Sequence, residues 1–488
     1  MSMQKDTTPP ELYVILSLVP FVLFFILMGC SAQQDVTPAS SIATKFVQPT
    51  YTIQQLPEKQ ETASSTLKQS TYPIQKGEKE SIVKMLDEAI RCDHSFFHEA
   101  KRSDFIQTTA NQTLVTECGL VAYKEDACSL SKLPLLGLSE SLSKANILNK
   151  VVVTDAWMHE NFKQFLASVP VEALEVFASI TGIVIHPLID TSFYFPVTGM
   201  LYLSPQQLWQ TEAQRKQAGS CVIDKRPVFY VSSVDGEAFQ WLSLSRYVKS
   251  GQLAFDANAQ TRSLTQMQYQ TAQVVFHEMA YALNQMPIKA VEKVSLFLKP
   301  ASISQRLETH MLGKAAQALA ALYPLGSDYL KQLAMQPLVA DRVDVPYRLH
   351  FVNEQFLVDK AVDLRSYKDA NADTALLFEA YMMKRVYGLD REVAFVSPVN
   401  AALAECSDVS FEYKSGGKLA NLINRAEFVV NLLMPNFYQQ QVLPKPLDYD
   451  EPIFSWCQQA NAGGLRSAID QLNPERQTFL QSIRASAK

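Results

Sequence analysis

The stretch that decides the fold is Val274–Asn284, which reads Val-Val-Phe-His-Glu-Met-Ala-Tyr-Ala-Leu-Asn. Residues four positions apart lie on one face of an α-helix, so a helix here places His277 beside Tyr281, with Glu278 next to them. Most of the other residues in the stretch are apolar, as in a helix that packs under a sheet. The stretch therefore predicts a buried helix that carries a short polar face.

This pattern resembles the active-site helix of the zincins, zinc peptidases with the motif His-Glu-x-x-His, except that tyrosine replaces the second histidine. In that motif two imidazoles hold one zinc ion and the glutamate activates the attacking water. The resemblance implies that His277 and Tyr281 occupy metal-ligand positions and that Glu278 occupies the general-base position. A phenol, with a reference pKa of about 10, is a poor substitute for a neutral imidazole.

Zincins of the glutamate-ligand type take their third ligand from a later helix. The best match here is the amphipathic stretch Asn371–Gly388, which Gly388 ends as a helix C-cap. By this resemblance, Ala372 stands where the ligand glutamate belongs. Glu379, elsewhere on the same predicted helix, is a candidate for a displaced ligand. The favoured alternative is that Glu379 lies at the surface, or that it hydrogen-bonds to a metal ligand and orients it without touching the metal.

The N-terminal region is dominated by an apolar run, Leu12–Met28, that ends at Gly29 and Cys30. This resembles the bacterial lipobox and implies that residues 1–29 are a signal peptide and that Cys30 is acylated. The alternative is a plain membrane span, because the run is near the lower length limit for crossing a bilayer. Ser31 after the cysteine resembles the class sorted to the outer membrane, with the protein facing the periplasm.

Residues 30–79 are rich in Gln, Thr, Ser, Pro and Lys and have few clustered apolar residues. This composition predicts a flexible tether. A coil of this length spans about 40 Å on average. The folded part can therefore stand clear of the lipid surface.

Cysteine usage agrees with export from the cytoplasm. The chain has 7 cysteines, so acylation of Cys30 leaves an even number, suited to three disulfides in an oxidising compartment. The nearest local pair is Cys118 with Cys128, Cys406 with Cys457 is a second candidate pair, and the connectivity stays open. The disulfide candidates are Cys92, Cys118, Cys128, Cys221, Cys406 and Cys457.

The roughly 400 remaining residues exceed the usual size of one hydrophobic core, so two lobes are expected. Strands are predicted at 148–154, 183–185, 193–204 and 228–232, and helices at 171–181 and from Glu237 onward. This order predicts the α+β class. A zincin-like mixed sheet packed on the His277 helix is expected over residues 80–300, and a mainly helical lobe over residues 301–488.

The segment Phe193–Ser204 alternates aromatic residues and contains a Pro-x-x-Gly turn. In zincins a strand of this kind forms the sheet edge over the metal and pairs with an extended substrate. The alternative is a plain hairpin whose aromatic side chains fill the core.

Three classes of function remain. The net charge of -5 and the lack of basic clusters exclude a nucleic-acid partner. The favoured class is a pseudopeptidase that is anchored in the lipid membrane through Cys30, binds a peptide or an envelope protein without cleaving it, and needs no cofactor. The second is a working metallopeptidase with an atypical zinc site formed by His277, Glu278, Tyr281 and Glu379. The third is a scaffold lipoprotein in which the central helix is only structural.

Overall fold

The computed structural model describes residues 96–139, 142–219, 228–232, 238–250, 252–255, 259–309, 314–334, 355–356, 358–396, 409–415 and 420–440. The signal-peptide, lipidation and tether predictions for residues 1–79 lie outside this part of the chain, as do Cys92, Cys221, Cys406 and Cys457. Within the described residues, no helix combines the length and the hydropathy needed to cross a bilayer.

The described chain is a mixture of helices and strands. The strands are β1 (Val151–Val153), β2 (Ile183–Ile185), β3 (Phe193–Phe195), β4 (Met200–Leu203), β5 (Val228–Ser232), β6 (Ala238–Lys249), β7 (Gln252–Leu253), β8 (Asp390–Val396) and β9 (Val409–Ser415). The α-helices are α1 (Phe96–Glu99), α2 (Ala110–Gly119), α3 (Leu136–Ser139), α4 (Lys144–Leu148), α5 (Ala156–Ser168), α6 (Glu212–Gln217), α7 (Leu264–Gln285), α8 (Ile288–Val291), α9 (Pro300–Thr309), α10 (Ala315–Leu322), α11 (Asp328–Ala334), α12 (Ala370–Tyr387), α13 (Ala420–Leu433) and α14 (Pro435–Gln440). Short 3-10 helices span Arg102–Asp104, Val171–Phe177, Pro205–Gln207 and Leu364–Tyr367. The helix predicted at 171–181 is thus a 3-10 helix that ends at Phe177.

The first sheet is mixed, with the strand order β1-β2-β4-β3. β1, β2 and β4 are parallel, and β3 runs antiparallel to β4 at the edge. Successive side chains of a strand point to opposite sides of the sheet, and a hydrophobic cluster packs on each side. In β1, Val151 and Val153 enter the largest hydrophobic cluster, whereas Val152 enters a second cluster on the other face. Residues 193–204 form a hairpin, the alternative considered for this segment, with β3 at the sheet edge. Its aromatic residues help to fill these two clusters.

Helix α7 contains the stretch Val274–Asn284 and packs against β3, β4, α5 and α12. It begins at a capping box, in which Ser263 accepts the backbone N–H of Gln266 and the Gln266 side chain accepts the backbone N–H of Ser263. Most of its apolar side chains are buried in the largest cluster. The predicted buried helix is confirmed. The residues that α7 contributes to the largest cluster include Val275, Phe276, Met279 and Leu283.

Helix α12 corresponds to the predicted amphipathic stretch 371–388. Asp369 caps its start by accepting the backbone N–H groups of Asn371 and Ala372. Gly388 ends it with a φ of 70°, a left-handed conformation in which glycine avoids the strain that a side chain introduces. Because α12 packs along α7, the two predicted site helices lie side by side.

The second sheet is antiparallel, with the order β5-β6-β8-β9 and with β7 paired to β6. The prediction of a helix from Glu237 onward is wrong, because β6 occupies residues 238–249. The alternation of leucine and serine from Leu242 to Ser245 has the period of a strand, and pairing with β8 stabilises it. The second sheet therefore takes strands from both of the predicted lobes.

Cys118 and Cys128 form a disulfide, with Cα atoms 5.5 Å apart. This is the local pair that their spacing suggested. The bond joins the end of α2 to the loop that follows it.

Candidate functional site

The polar face of α7 lies at the edge of the core. The ring centroids of His277 and Tyr281 are 5.6 Å apart, and the rings meet edge to face. The side chain of His277 is 22% exposed, so the ring is accessible and does not point into packed hydrocarbon. The helix thus presents one imidazole and one phenol on a face that solvent can reach.

Glu379 of α12 contacts this imidazole directly. The distance from His277 Nδ1 to Glu379 Oε2 is 2.9 Å, and the Glu379 side chain is only 2% exposed. The other carboxylate oxygen, Oε1, accepts a hydrogen bond of 2.8 Å from the Tyr247 hydroxyl and one of 2.6 Å from Arg391 Nη1. Glu379 is therefore not a surface carboxylate, and it orients the His277 ring from the interior.

Arg391 of β8 joins Glu379 to a second carboxylate. Its Nη2 atom donates to Asp363 Oδ2 at 2.6 Å and to Ser245 Oγ at 3.1 Å, and its side chain is completely buried. Asp363 also accepts from Arg365 Nη2 at 2.9 Å. A continuous buried chain of polar contacts thus runs from Asp363 through Arg391 and Glu379 to His277.

The charges in this chain stabilise one another. Burial by itself raises the pKa of Glu379, but Arg391 and the hydrogen bond from His277 outweigh burial and lower the pKa to about 2. Burial also raises the pKa of Asp363, but the positive charges of Arg365 and Arg391 outweigh burial. The pKa of Asp363 therefore lies well below its ordinary value. Both carboxylates are consequently ionised at neutral pH.

The pKa of Tyr281 is shifted in the opposite direction. Burial, followed by the nearby Glu278 carboxylate, raises the pKa of the Tyr281 phenol well above its ordinary value. The phenol therefore stays protonated near neutral pH. Of the two ligand positions that the zincin resemblance implies, only His277 offers a lone pair suited to a metal ion.

Glu278 is bound to the edge strand. Its Oε2 atom accepts the backbone N–H of Tyr194 in β3 at 3.0 Å. Neighbouring residues of an antiparallel strand turn their backbone groups to opposite sides, and the Phe195 carbonyl accepts from Gly199 in the turn towards β4. The Tyr194 N–H thus points away from β4, and the would-be general base caps it.

These residues do not fit a zinc centre. Catalytic zinc takes three protein ligands and a water. Here the oxygens of Glu379 are already engaged by three protein donors, and the buried guanidinium of Arg391 repels a second cation. Ala372 lies in the first turn of α12, about 10 Å along the helix axis from Glu379. Over the part of the chain that the structure describes, no three His, Cys, Asp or Glu side chains are grouped to hold a metal ion.

Sequence reasoning missed Arg391, Tyr247 and Asp363. Tyr247 and Glu379 are 132 positions apart in the chain, and no motif of fixed spacing links residues so distant. Arg391 stands between Asp390 and Glu392 at the start of β8, and such a run of charges is typical of an exposed segment, so the local sequence does not mark it as a buried partner.

The known proteins offer no relative from which a role could be transferred: no family model, curated protein or solved structure matches this chain. A function must therefore be argued from the geometry of α7, α12 and β3.

Proposed function

We propose that this protein is a lipid-anchored envelope protein whose zincin-like domain binds an extended peptide segment at β3 without cleaving it. The observation that carries the proposal is the hydrogen bond from the Tyr194 backbone N–H to Glu278. It joins the edge strand to the helix position that holds the general base in the resembled motif. A carboxylate committed to a strand N–H caps that strand and is not poised over a water molecule.

Peptide binding follows from what the edge strand offers. An extended peptide can add a strand to a sheet edge through main-chain hydrogen bonds. A peptide carbonyl that takes the Tyr194 N–H would replace Glu278 there. Phe193 and Phe195, which flank Tyr194, are partly exposed and offer apolar contacts to peptide side chains.

Cleavage is disfavoured by the same geometry. Among the described residues His277 is the single imidazole at the site, the negative charge of Glu379 is balanced by Arg391, and the Tyr281 phenol keeps its proton. None of these groups is available to complete a zinc centre. The chain is accordingly proposed to be a non-enzyme.

The binding proposal is tested with linear hexapeptides selected by display against the full chain, with affinity measured by fluorescence anisotropy. Glu278→Ala removes the group that competes for the Tyr194 N–H, so binding should tighten about 2- to 10-fold, the value of one hydrogen bond. Glu172→Ala, which removes an exposed carboxylate on a 3-10 helix, is the matched control and should leave affinity unchanged. Failure to select any hexapeptide, or equal effects of both variants, would favour the scaffold class.

The absence of peptidase chemistry is tested separately by metal analysis of the purified chain. We expect well under one zinc per chain, and selected hexapeptides that stay intact by mass spectrometry. About one zinc per chain that is lost on His277→Ala would overturn the proposal in favour of a working metallopeptidase.

Anchoring at Cys30 is tested by palmitate labelling in cells. We expect labelling and recovery in the outer-membrane fraction, both lost on Cys30→Ala. An unlabelled wild-type chain that still sediments with membranes would instead indicate an uncleaved span at Leu12–Met28.

A further inference from the structure

The His277 ring is restricted to one arrangement of its protons when it is neutral. An ionised carboxylate only accepts hydrogen bonds. Because His277 Nδ1 lies 2.9 Å from Glu379 Oε2, Nδ1 must carry the ring hydrogen and donate it. The other ring nitrogen, Nε2, therefore keeps its lone pair. Within the described residues, the hydrogen bond of Nδ1 is the only one that this ring makes.

The groups behind the ring prevent Glu379 from rotating away or changing its charge. Arg391 is completely buried and is held by Asp363 and Ser245 as well as by Glu379. The Tyr247 hydroxyl holds the same carboxylate oxygen as Arg391. Such support from behind fixes both the tautomer and the orientation of an imidazole.

We propose that His277 is a preset hydrogen-bond acceptor, which Asp363, Arg391 and Glu379 hold so that Nε2 receives a backbone N–H of the bound peptide. The inference rests on the proposed function and names the chemistry of one contact within it. The partial exposure of the side chain, 22%, gives a peptide access to the ring. Arg391 and Glu379 are then positioning residues, which act through His277 without touching the ligand.

His186 provides an internal control of opposite sense. Its Nδ1 atom accepts the backbone N–H of Leu188 at 3.0 Å. A neutral ring that accepts at Nδ1 carries its hydrogen on Nε2. The chain thus holds two histidines whose neutral tautomers should differ.

The first test is ¹⁵N NMR of the full chain labelled at histidine. Spectra are recorded near pH 9, well above the ordinary imidazole pKa of about 6.5. We expect His277 to be protonated at Nδ1 and unprotonated at Nε2, and His186 to show the reverse. A His277 ring that exchanges between tautomers, or that carries a proton on Nε2, would overturn the proposal in the wild-type chain alone.

Two variants test the positioning role. Glu379→Gln keeps the shape of the side chain but can donate as well as accept, so the His277 signals should move towards the average of the two tautomers. Arg246→Met removes a different buried arginine of the second sheet, paired with Glu392 at 2.8 Å, and should leave the His277 signals in place. Equal effects of both variants would indicate a general structural change and contradict a specific role for Glu379.

The second test uses a hexapeptide selected as described above and its singly N-methylated forms, each of which lacks one backbone N–H donor. We expect one N-methylation to weaken binding to the wild type about 2- to 10-fold and to have little effect on binding to His277→Ala. Binding of the parent peptide should shift the Nε2 signal of His277. If peptides bind but no position shows this coupling, the acceptor role is wrong and the binding proposal stands. If no peptide binds, the binding proposal itself fails.

Discussion

Helix α12 carries two buried carboxyl groups whose pKa values shift in opposite directions. Glu379 and Asp373 lie less than two turns apart, each is at least 96% shielded from solvent, and each is paired with a buried arginine. Arg391 and His277 lower the pKa of Glu379 to about 2, whereas burial raises the pKa of Asp373 to about 6. Equal burial on one helix therefore leads to opposite shifts.

The number of donors that reach each carboxylate explains the difference. Glu379 accepts from His277, Tyr247 and Arg391, so its ionised form is well compensated. Asp373 is bonded to Arg425, but burial outweighs this pairing and the nearby Asp359 carboxylate adds to the effect of burial. Burial raises the pKa of a carboxyl group unless hydrogen bonds and opposite charges exceed the cost of desolvation. Glu379, which lies at the candidate site, is therefore the carboxyl group that stays ionised.

The largest expected effect comes from removing the cation that holds Glu379. Arg391→Met removes the buried cation that Glu379 and Asp363 share, and leaves Glu379 with Tyr247 and His277 and Asp363 with Arg365. We expect a loss of about 3 to 5 kcal/mol in the free energy of unfolding. Urea denaturation measures this loss. Lys331→Ala, which removes an exposed pair with Asp328, is the control and should cost less than about 1 kcal/mol. A loss from Arg391→Met no larger than the control's would contradict the proposed compensation.

The pH dependence of Glu379→Gln should come next in size. The folded-state pKa of about 2 lies below the reference value of 4.5, so the ionised group stabilises the fold above pH 4.5, and this contribution is lost as pH falls towards 2. The stability of the wild type relative to the variant should rise by about 3 kcal/mol across that window. Urea unfolding at several pH values between 2.5 and 7 measures it, and a flat difference would refute the assignment.

Asp373→Asn should show the opposite slope. The folded-state pKa of about 6 lies above the reference value of 3.8, so the stabilising contribution is complete below pH 3.8 and is lost as pH rises through 6. The variant should therefore gain on the wild type by up to about 3 kcal/mol between pH 4 and 7. If both variants had slopes of the same sign, the contrast between the two carboxylates would be wrong.

Removal of Arg425, the partner of Asp373, should have the smallest effect on the free energy of unfolding. Arg425→Met leaves the ionised form of Asp373 unpaired, but the pKa of this carboxyl group, about 6, is close enough to pH 7 for the group to take a proton at small cost. We expect a loss of about 2 kcal/mol at pH 7 and a smaller loss at pH 5. Urea denaturation at the two pH values checks this, and a loss that exceeds that of Arg391→Met would reverse the comparison.

Local structure was predictable wherever a short stretch of sequence contains the periodicity, the cap or the turn residues that produce it. The apolar spacing of Val274–Asn284 predicts α7, and Gly388 marks the end of α12. The hairpin at 193–204 follows from alternation and a turn signal. The prediction failed at β6, where the strand-like alternation covers only Leu242 to Ser245 and the partner strand β8 lies about 150 positions later in the chain.

The sequence by itself predicted the two helices and the presence of a His-Glu face, and it offered the hairpin and the pair Cys118–Cys128 as candidates. Only the tertiary structure decided what Glu379 does. Whether a carboxylate lies at the surface, binds a metal or orients a histidine depends on the donors that reach it, and these come from β6, β8 and α7. Periodicity and capping arise from contacts over a few residues, whereas charge compensation arises from contacts between distant parts of the chain, and for that reason the second could not be predicted from the first.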